Sequence, residues 1–177
     1  MNYLSQFTLP FSGLSEGKHQ FDFTVDDRFF AEFETSEVEK GKLKIQVELE
    51  KRSTYLSLTF KVNGTVELVC DRCLETFFYP VESNRKLLVK FSEKQVEDEA
   101  ELIYLHPNDF QVEVAQYIYE FVILSLPIRR IHPDGENGES KCDPVMIKKL
   151  EELRHHSNTL DEADDPRWNE LRKFIGN

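Results

Sequence analysis

The sequence predicts an α+β fold: an antiparallel, β-rich core with one long packing helix and two short C-terminal helices. Apolar and polar residues alternate over most of the first two thirds of the 177 residues, as they do in half-buried strands. One later segment is apolar over a wide arc at helical spacing. Two Asp-Pro steps near the end predict short helices. We expect the strands to form a curved sheet or a partly open barrel that the long helix covers.

The clearest strand begins at Lys42, and the chain before it contains one helical turn. The turn is predicted by "DDRFFAEFE", with Asp26 or Asp27 as its N-cap. A later strand runs from about Phe77 to Phe91, where Pro80 marks an edge or a bulge. The apolar positions of the strand that begins at Lys42 are Leu43, Ile45, Val47 and Leu49.

A hairpin is predicted at Asn63-Gly64, because both residues tolerate the positive φ of a type I′ turn. Its first strand runs from Thr54 to Val62. Its second strand runs from Thr65 to Val69 and ends directly on Cys70.

The long helix begins after Asp109, which can cap it, and Pro127 ends it. Beyond Arg130 the composition changes to the turn-rich "HPDGENGESKC". We therefore expect a core domain at residues 1–131 and a C-terminal extension at residues 132–177.

The composition is acidic, with 33 Asp and Glu against 22 Lys and Arg and a net charge of −11 at pH 7. Phosphate contacts are made mainly by Lys and Arg, so this balance disfavours a protein whose whole surface binds nucleic acid. It suits a protein that meets basic partners. The chain opens without a signal segment and has no apolar run long enough to span a bilayer. We therefore expect a cytoplasmic protein without membrane contact.

Two of the three cysteines form a Cys-x2-Cys step inside "VCDRCLE". An odd number of cysteines in a reducing compartment argues against a disulfide framework. A cysteine pair that follows a strand can present two thiolates to one zinc ion, and structural zinc takes four ligands. The predicted structural zinc site is Cys70, Cys73, Cys142 and His132, with His106 as a second candidate for the histidine. The alternative is three free, partly buried thiols.

A thiol-based redox protein that uses the Cys70-x2-Cys73 pair is the alternative function. A dithiol exchanger holds its first cysteine at a helix N-terminus, which lowers the thiol pKa, whereas this pair follows an antiparallel strand. The segment "GLSEG" matches a nucleophile elbow, but a strand pattern follows it where the elbow needs a helix. No catalytic carboxylate pair or Ser/His/Asp pattern stands out. We therefore predict a protein without enzymatic activity and without a small-molecule substrate.

Three segments of the chain resemble the YceD family, which is linked to accumulation of large-subunit ribosomal RNA. They are "VCDRCLE", "YEFVILSLPIRRIH" and "DPRWNELRKF", in the same order as in the family. The chain is similar to the form common in Bacteroidetes-type bacteria. The resemblance implies a factor in large-subunit biogenesis that binds a ribosomal protein, a precursor RNA or an assembly factor. Other branches carry C-x-x-x-C-x-G-L-C before the tail, where this chain has Cys142 alone. If those branches bind zinc with four cysteines, this chain must either recruit His132 or bind no metal.

The tail that begins at Asp165-Pro166 predicts a short helix with one apolar stripe. A helix of some ten residues is marginal alone in water, so its stripe must be buried. It either packs on the protein's own core or enters a partner's groove. The predicted partner-binding residues are Arg167, Trp168, Leu171 and Phe174.

Overall fold

The structure, a computed structural model, describes residues 3–93, 101–133 and 140–157, with side chains as far as Arg154. The chain divides into two compact units. The first comprises Met1–Val69 and Thr76–Arg130, and the second comprises Cys70–Glu75 and Ile131–Asn177. In chain order the first unit contains β1 (Thr8–Pro10), β2 (Gly17–Val25), α1 (Asp27–Ala31), β3 (Gly41–Lys51), β4 (Tyr55–Val69), β5 (Thr76–Phe91), β6 (Leu102–Leu105), β7 (Gln111–Glu113) and α2 (Ala115–Ile123), and the second contains α3 (Pro144–Ser157).

The first unit is built on an open five-stranded sheet with the order β2-β3-β4-β5-β6. Neighbouring strands are antiparallel except for β5 and β6, which pair in parallel over four residues. Strands β1 and β7 form a separate antiparallel pair. The predicted α+β class with an antiparallel β-rich core is therefore confirmed, as a sheet that stays open.

One face of the sheet forms the core, and α1 and α2 pack on it. The ring of Phe121 in α2 meets that of Phe60 in β4 edge-on, with centroids 5.2 Å apart. Asp26 caps α1 as predicted, because its side chain accepts a hydrogen bond from the Arg28 N–H at 3.1 Å. The alternating residues of β3 and β4 that are buried on this face are Leu43, Ile45, Val47, Leu49, Leu56, Leu58, Phe60, Val62, Val66 and Leu68.

The predicted hairpin at Asn63-Gly64 is wrong. Strand β4 runs without a break through both residues, and Gly64 pairs with Leu43 on one side and Val81 on the other. Glycine is required there because a Cβ atom would lie 2.2 Å from the Lys42 carbonyl oxygen, and because φ is 156°. The glycine thus permits a close approach of two strands and makes no turn.

The predicted cap of the long helix is also wrong. Helix α2 begins at Ala115, and Gln111–Glu113 is a strand that pairs with β1. The Asp109 carboxylate instead accepts a hydrogen bond from the His106 N–H at 2.8 Å and closes the turn before that strand. The helix is therefore nine residues long, shorter than expected.

In the second unit, α3 begins at Pro144, in agreement with the first Asp-Pro prediction. The Asp143 carboxylate accepts a hydrogen bond from the Val145 N–H at 3.0 Å, and Pro144 occupies the first helical position. The second predicted helix, after Asp165-Pro166, lies outside the described residues. Within the described part of the chain, no helix has the length and apolar content needed to cross a membrane.

Candidate metal centre

The Cys-x2-Cys step occupies the turn that connects β4 to β5. The Cys70 N–H donates to the Glu75 carbonyl oxygen at 2.9 Å, and the Leu74 N–H donates to the Cys70 carbonyl oxygen at 2.9 Å. These two hydrogen bonds fold six residues into a compact loop. Leu74 adopts a φ of 62°, the only positive φ of a non-glycine residue in the described chain. The turn closes through a left-handed residue placed directly after the second cysteine.

Two further donors come from the later part of the same unit. His132 lies in the segment that follows Arg130, and Cys142 lies two residues before α3. The position of Cys142 is held locally, because its backbone N–H donates to the Ser140 hydroxyl at 3.3 Å. The cap that Asp143 provides fixes where the helix begins, so Cys142 is placed just outside its first turn.

Four side-chain donors converge at one point: the sulfurs of Cys70, Cys73 and Cys142, and one ring nitrogen of His132 all lie within 4.8 Å of one another. The Cys70 and Cys142 sulfurs are 3.7 Å apart. The His132 Nδ1 lies 3.4 Å from the Cys73 sulfur and 3.6 Å from the Cys142 sulfur.

These three separations are close to the edges of a tetrahedral metal site, and the other three are at most 4.8 Å. With metal–sulfur bonds near 2.3 Å and a metal–nitrogen bond near 2.0–2.1 Å, tetrahedral angles put sulfurs about 3.8 Å apart and sulfur and nitrogen about 3.6 Å apart. The four residues are therefore compatible with a structural metal ion.

The cluster is shielded from solvent. Cys70 is 0 % exposed, Cys73 4 %, Cys142 5 % and His132 9 %. Four ligands that are buried together leave no open coordination position for a substrate or a reactive water, which is the arrangement of a structural site.

The cysteine thiols differ in acidity. Burial raises the pKa of Cys70, but the backbone N–H groups of Cys73, Arg72 and His132 outweigh it and bring that pKa from the ordinary 9.0 down to about 6. Burial raises the pKa of Cys73, and the neighbouring Cys70 and Cys142 thiols raise it further. Backbone N–H groups thus favour a thiolate at Cys70, and a bound cation would supply the charge that favours a thiolate at Cys73.

The structure brings together the four residues that the sequence predicts as ligands. His106, the second candidate for the histidine, is not among them, because its Nδ1 accepts a hydrogen bond from the Asn108 N–H at 3.2 Å in a turn. The predicted partner-binding residues Arg167, Trp168, Leu171 and Phe174 lie outside the described residues.

Two residues next to the ligands were missed by sequence reasoning. Arg72 and Ser140 hydrogen-bond to each other, with the Arg72 Nη2 donating to the Ser140 hydroxyl at 3.3 Å. The position of Arg72 between the two cysteines could have identified it, from the sequence, as a residue next to the ligands. Ser140 carried no such signal, since serine is common in linkers.

No curated protein and no solved structure matches the chain. A family model does match, over residues 58–175, and its description is large ribosomal RNA subunit accumulation protein YceD. The match includes all four donors of the cluster and covers well over half of the chain. The chain belongs to the YceD family, whose name states a role in the accumulation of large-subunit ribosomal RNA.

Proposed function

We propose that this chain is a non-enzymatic, cytoplasmic factor of large-subunit biogenesis that carries one structural zinc ion on Cys70, Cys73, His132 and Cys142. The observation that carries the zinc assignment is the convergence of four buried donors within 4.8 Å of one another. A protein that acts by binding needs surfaces held in place, and a metal that joins two distant chain segments supplies such a constraint.

Zinc is the metal whose preferences fit this donor set best. Soft thiolate ligands select zinc, copper(I) and iron–sulfur clusters, while hard cations such as Mg²⁺ and Ca²⁺ take oxygen ligands. A set of three thiolates and one imidazole is a usual structural zinc site. Because all four positions are filled by protein, the ion would hold structure and would not activate a substrate. This saturation supports the non-enzymatic assignment.

A thiol-based redox function for the Cys70-x2-Cys73 pair is the alternative, and one observation favours it. The pKa of Cys70, lowered to about 6, gives a thiolate at neutral pH. Burial argues against it, since a thiol–disulfide exchanger must expose its attacking sulfur to a partner, and Cys70 and Cys73 are 0 % and 4 % exposed. Metal content discriminates between the two. Tightly bound zinc in the purified protein favours the structural site, and a metal-free dithiol that cycles with thioredoxin favours redox chemistry.

The proposed domain organisation assigns residues 1–131 to a core domain and residues 132–177 to a C-terminal extension. We place partner binding on the tail of this extension, through the apolar residues Trp168, Leu171 and Phe174, with Arg167 at the rim of the partner's groove. The sequence pattern supports this placement, because it puts an apolar stripe after the acidic segment "SNTLDEADD".

The proposed partner is a ribosomal protein or an assembly factor, with precursor RNA as a further candidate. The net charge of −11 supports a basic protein as partner, since complementary charge steers encounter. The single cysteine between residues 131 and 165 supports assignment of the chain to the Bacteroidetes-type form of the family.

Deletion of the gene tests the function as a whole. We expect large-subunit ribosomal RNA to fall relative to small-subunit RNA, with precursor RNA accumulating in sucrose-gradient profiles. Wild-type protein should restore the profile. A variant with both Cys73→Ser and Cys142→Ser should restore the profile incompletely, because a metal would no longer hold the C-terminal extension at the cysteine turn. Normal profiles at every growth temperature in the deletion strain would rule out the biogenesis role.

The partner-binding tail is tested by removal of residues 160–177. If these residues serve a partner, the melting temperature stays within a few degrees of the full-length value while co-sedimentation with ribosomal precursors is lost. If they pack on the protein's own core, burial of Trp and Phe rings contributes several kcal/mol, and truncation lowers the melting temperature strongly. A triple substitution of Trp168, Leu171 and Phe174 by Ala, in a chain of full length, separates loss of the apolar stripe from loss of chain length.

A further inference from the structure

The side chain of Arg72 connects the cysteine turn to the backbone of a distant ligand. Its Nη2 donates to the Ser140 hydroxyl at 3.3 Å, and the same hydroxyl accepts the Cys142 backbone N–H at 3.3 Å. Two hydrogen bonds therefore lead from a residue between the first two ligands to the main chain of the fourth. All of these residues belong to the second unit.

The Nε atom of Arg72 is buried and has no hydrogen-bond partner among the described residues. A buried donor that stays unpaired costs free energy, and arginine keeps its positive charge at any physiological pH. The guanidinium is thus held at Ser140 through its Nη2, while its Nε brings a buried donor and a positive charge into the second unit.

A metal-bound centre would carry a net negative charge that needs a positive partner. Three thiolates, one neutral imidazole and a divalent cation sum to one negative charge, held by residues that are at most 9 % exposed. A buried charge is tolerated when it is paired and hydrogen-bonded. Arg72 is positive and belongs to the same turn as Cys70 and Cys73, and its guanidinium contacts Ser140, two residues before Cys142.

We propose that Arg72 is a positioning residue of the metal centre, which fixes the Ser140–Cys142 segment against the cysteine turn and balances the negative charge of the loaded site. This inference rests on the proposed metal centre. It assigns to Arg72 a role in metal affinity and not in contact with a partner. Outer-shell partners of this kind affect metal affinity by about 10–100-fold, because they orient the ligands and tune their charge.

The test compares zinc affinity across four variants by competition with a chromogenic chelator, with Co²⁺ absorption as a report on ligand geometry. Arg72→Met removes the positive charge and the N–H donors, and Arg72→Lys keeps the charge but lacks the planar guanidinium group. Ser140→Ala removes the hydroxyl that connects the Arg72 side chain to the Cys142 backbone N–H. Arg85→Met is the matched control, since it removes the same charge from an exposed position on β5. Circular dichroism of each metal-free variant checks that affinity is compared between folded proteins.

We expect Arg72→Met to weaken zinc binding by about 10–100-fold while the Co²⁺ bands keep their tetrahedral positions. Arg72→Lys should recover part of this loss, and Ser140→Ala should cost less than Arg72→Met. An additional variant that combines Arg72→Met with Ser140→Ala should lose less zinc affinity than the two single effects combined, because both substitutions remove the same hydrogen bond. Arg85→Met should bind zinc like the wild type.

Equal affinity of Arg72→Met and the wild type would overturn the role of Arg72 and leave the metal centre standing. A wild-type protein that binds neither Zn²⁺ nor Co²⁺ would overturn the centre and this role together. Should Arg72→Met fail to fold, the comparison of Arg72→Lys with Ser140→Ala decides. Wild-type affinity in both of those variants would overturn the proposal.

Discussion

The sulfur of Cys70 lies 3.7 Å from the sulfur of Cys142, although 72 positions separate the two residues in the chain. One of them belongs to the turn between β4 and β5, and the other to the segment before α3. A contact of this kind joins the two parts of the chain from which the second unit is made.

Chelation should release about one zinc ion per chain and loosen the second unit. Backbone amides in residues 131–133 and 140–157 should exchange hydrogen faster after treatment with a chelator, because the ligands no longer share an ion. Amides of β3 and β4 should keep their protection, since they belong to the continuous sheet of the first unit. Elemental analysis and hydrogen exchange measure both effects. Protein purified without chelator that contains no metal would contradict the prediction.

Two substitutions of His132 should show whether it acts as a metal ligand or only as a packing residue. His132→Cys supplies a fourth thiolate, so we expect metal binding to persist at one ion per chain. His132→Phe keeps an aromatic ring in the cluster but offers no donor, and it should lower zinc affinity by at least the 10–100-fold typical of outer-shell changes. Co²⁺ absorption distinguishes a four-sulfur site from a three-sulfur site. Equal affinities in the two variants would show that His132 is a packing residue.

Replacement of Leu74 should change stability in opposite directions, according to the new residue. The left-handed conformation, with a φ of 62°, costs roughly 1–2 kcal/mol for a residue with a Cβ atom. Leu74→Gly should therefore stabilise the protein by about 0.5–1 kcal/mol, after the extra chain entropy of glycine is subtracted. Leu74→Val should destabilise it, because a β-branched residue is least compatible with positive φ. Urea unfolding of the two variants measures the difference, and the opposite order would refute the conformational argument.

Substitution of Gly64 should be severe, whereas substitution of Gly13 should be nearly silent. A methyl group at Gly64 would meet the Lys42 carbonyl oxygen at 2.2 Å, so the central strands would have to separate. We expect Gly64→Ala to cost at least about 2–3 kcal/mol, the upper part of the range for overpacking. Gly13→Ala meets nothing within 4 Å and should stay within about 0.5 kcal/mol of the wild type. Similar unfolding midpoints for the two variants would contradict this reading of β4.

The same glycine shows where sequence reasoning succeeded and where it failed. The alternation of Val62, Val66 and Leu68 continues on one face across Asn63-Gly64, and this pattern predicts a single strand. The turn propensity of Asn-Gly is a local property, and the close approach to β3 that requires a glycine is tertiary. The local signal alone therefore divides one 15-residue strand into a hairpin.

Non-local pairing explains the other failures. Gln111–Glu113 is a strand only because Thr8–Pro10 lies beside it, about a hundred residues earlier in the chain. The parallel pairing of β5 with β6 likewise has no local sequence signal. The ligand set was predictable because its chemistry limits the choice. Zinc takes few residue types, and Cys70, Cys73 and Cys142 were the only cysteines available.

The division of the ligands between two distant segments has a consequence during synthesis. The 72 positions from Cys70 to Cys142 take roughly 4–14 s to translate at 5–20 residues per second. For most of that interval the nascent chain carries only the Cys70 and Cys73 sulfurs of the site, because His132 follows Cys73 by 59 positions and Cys142 comes ten positions after His132. Closure of the centre can therefore follow only the emergence of the segment that bears Cys142. A chain that stops short of that segment retains an open pair of thiols, which distinguishes it chemically from the finished protein.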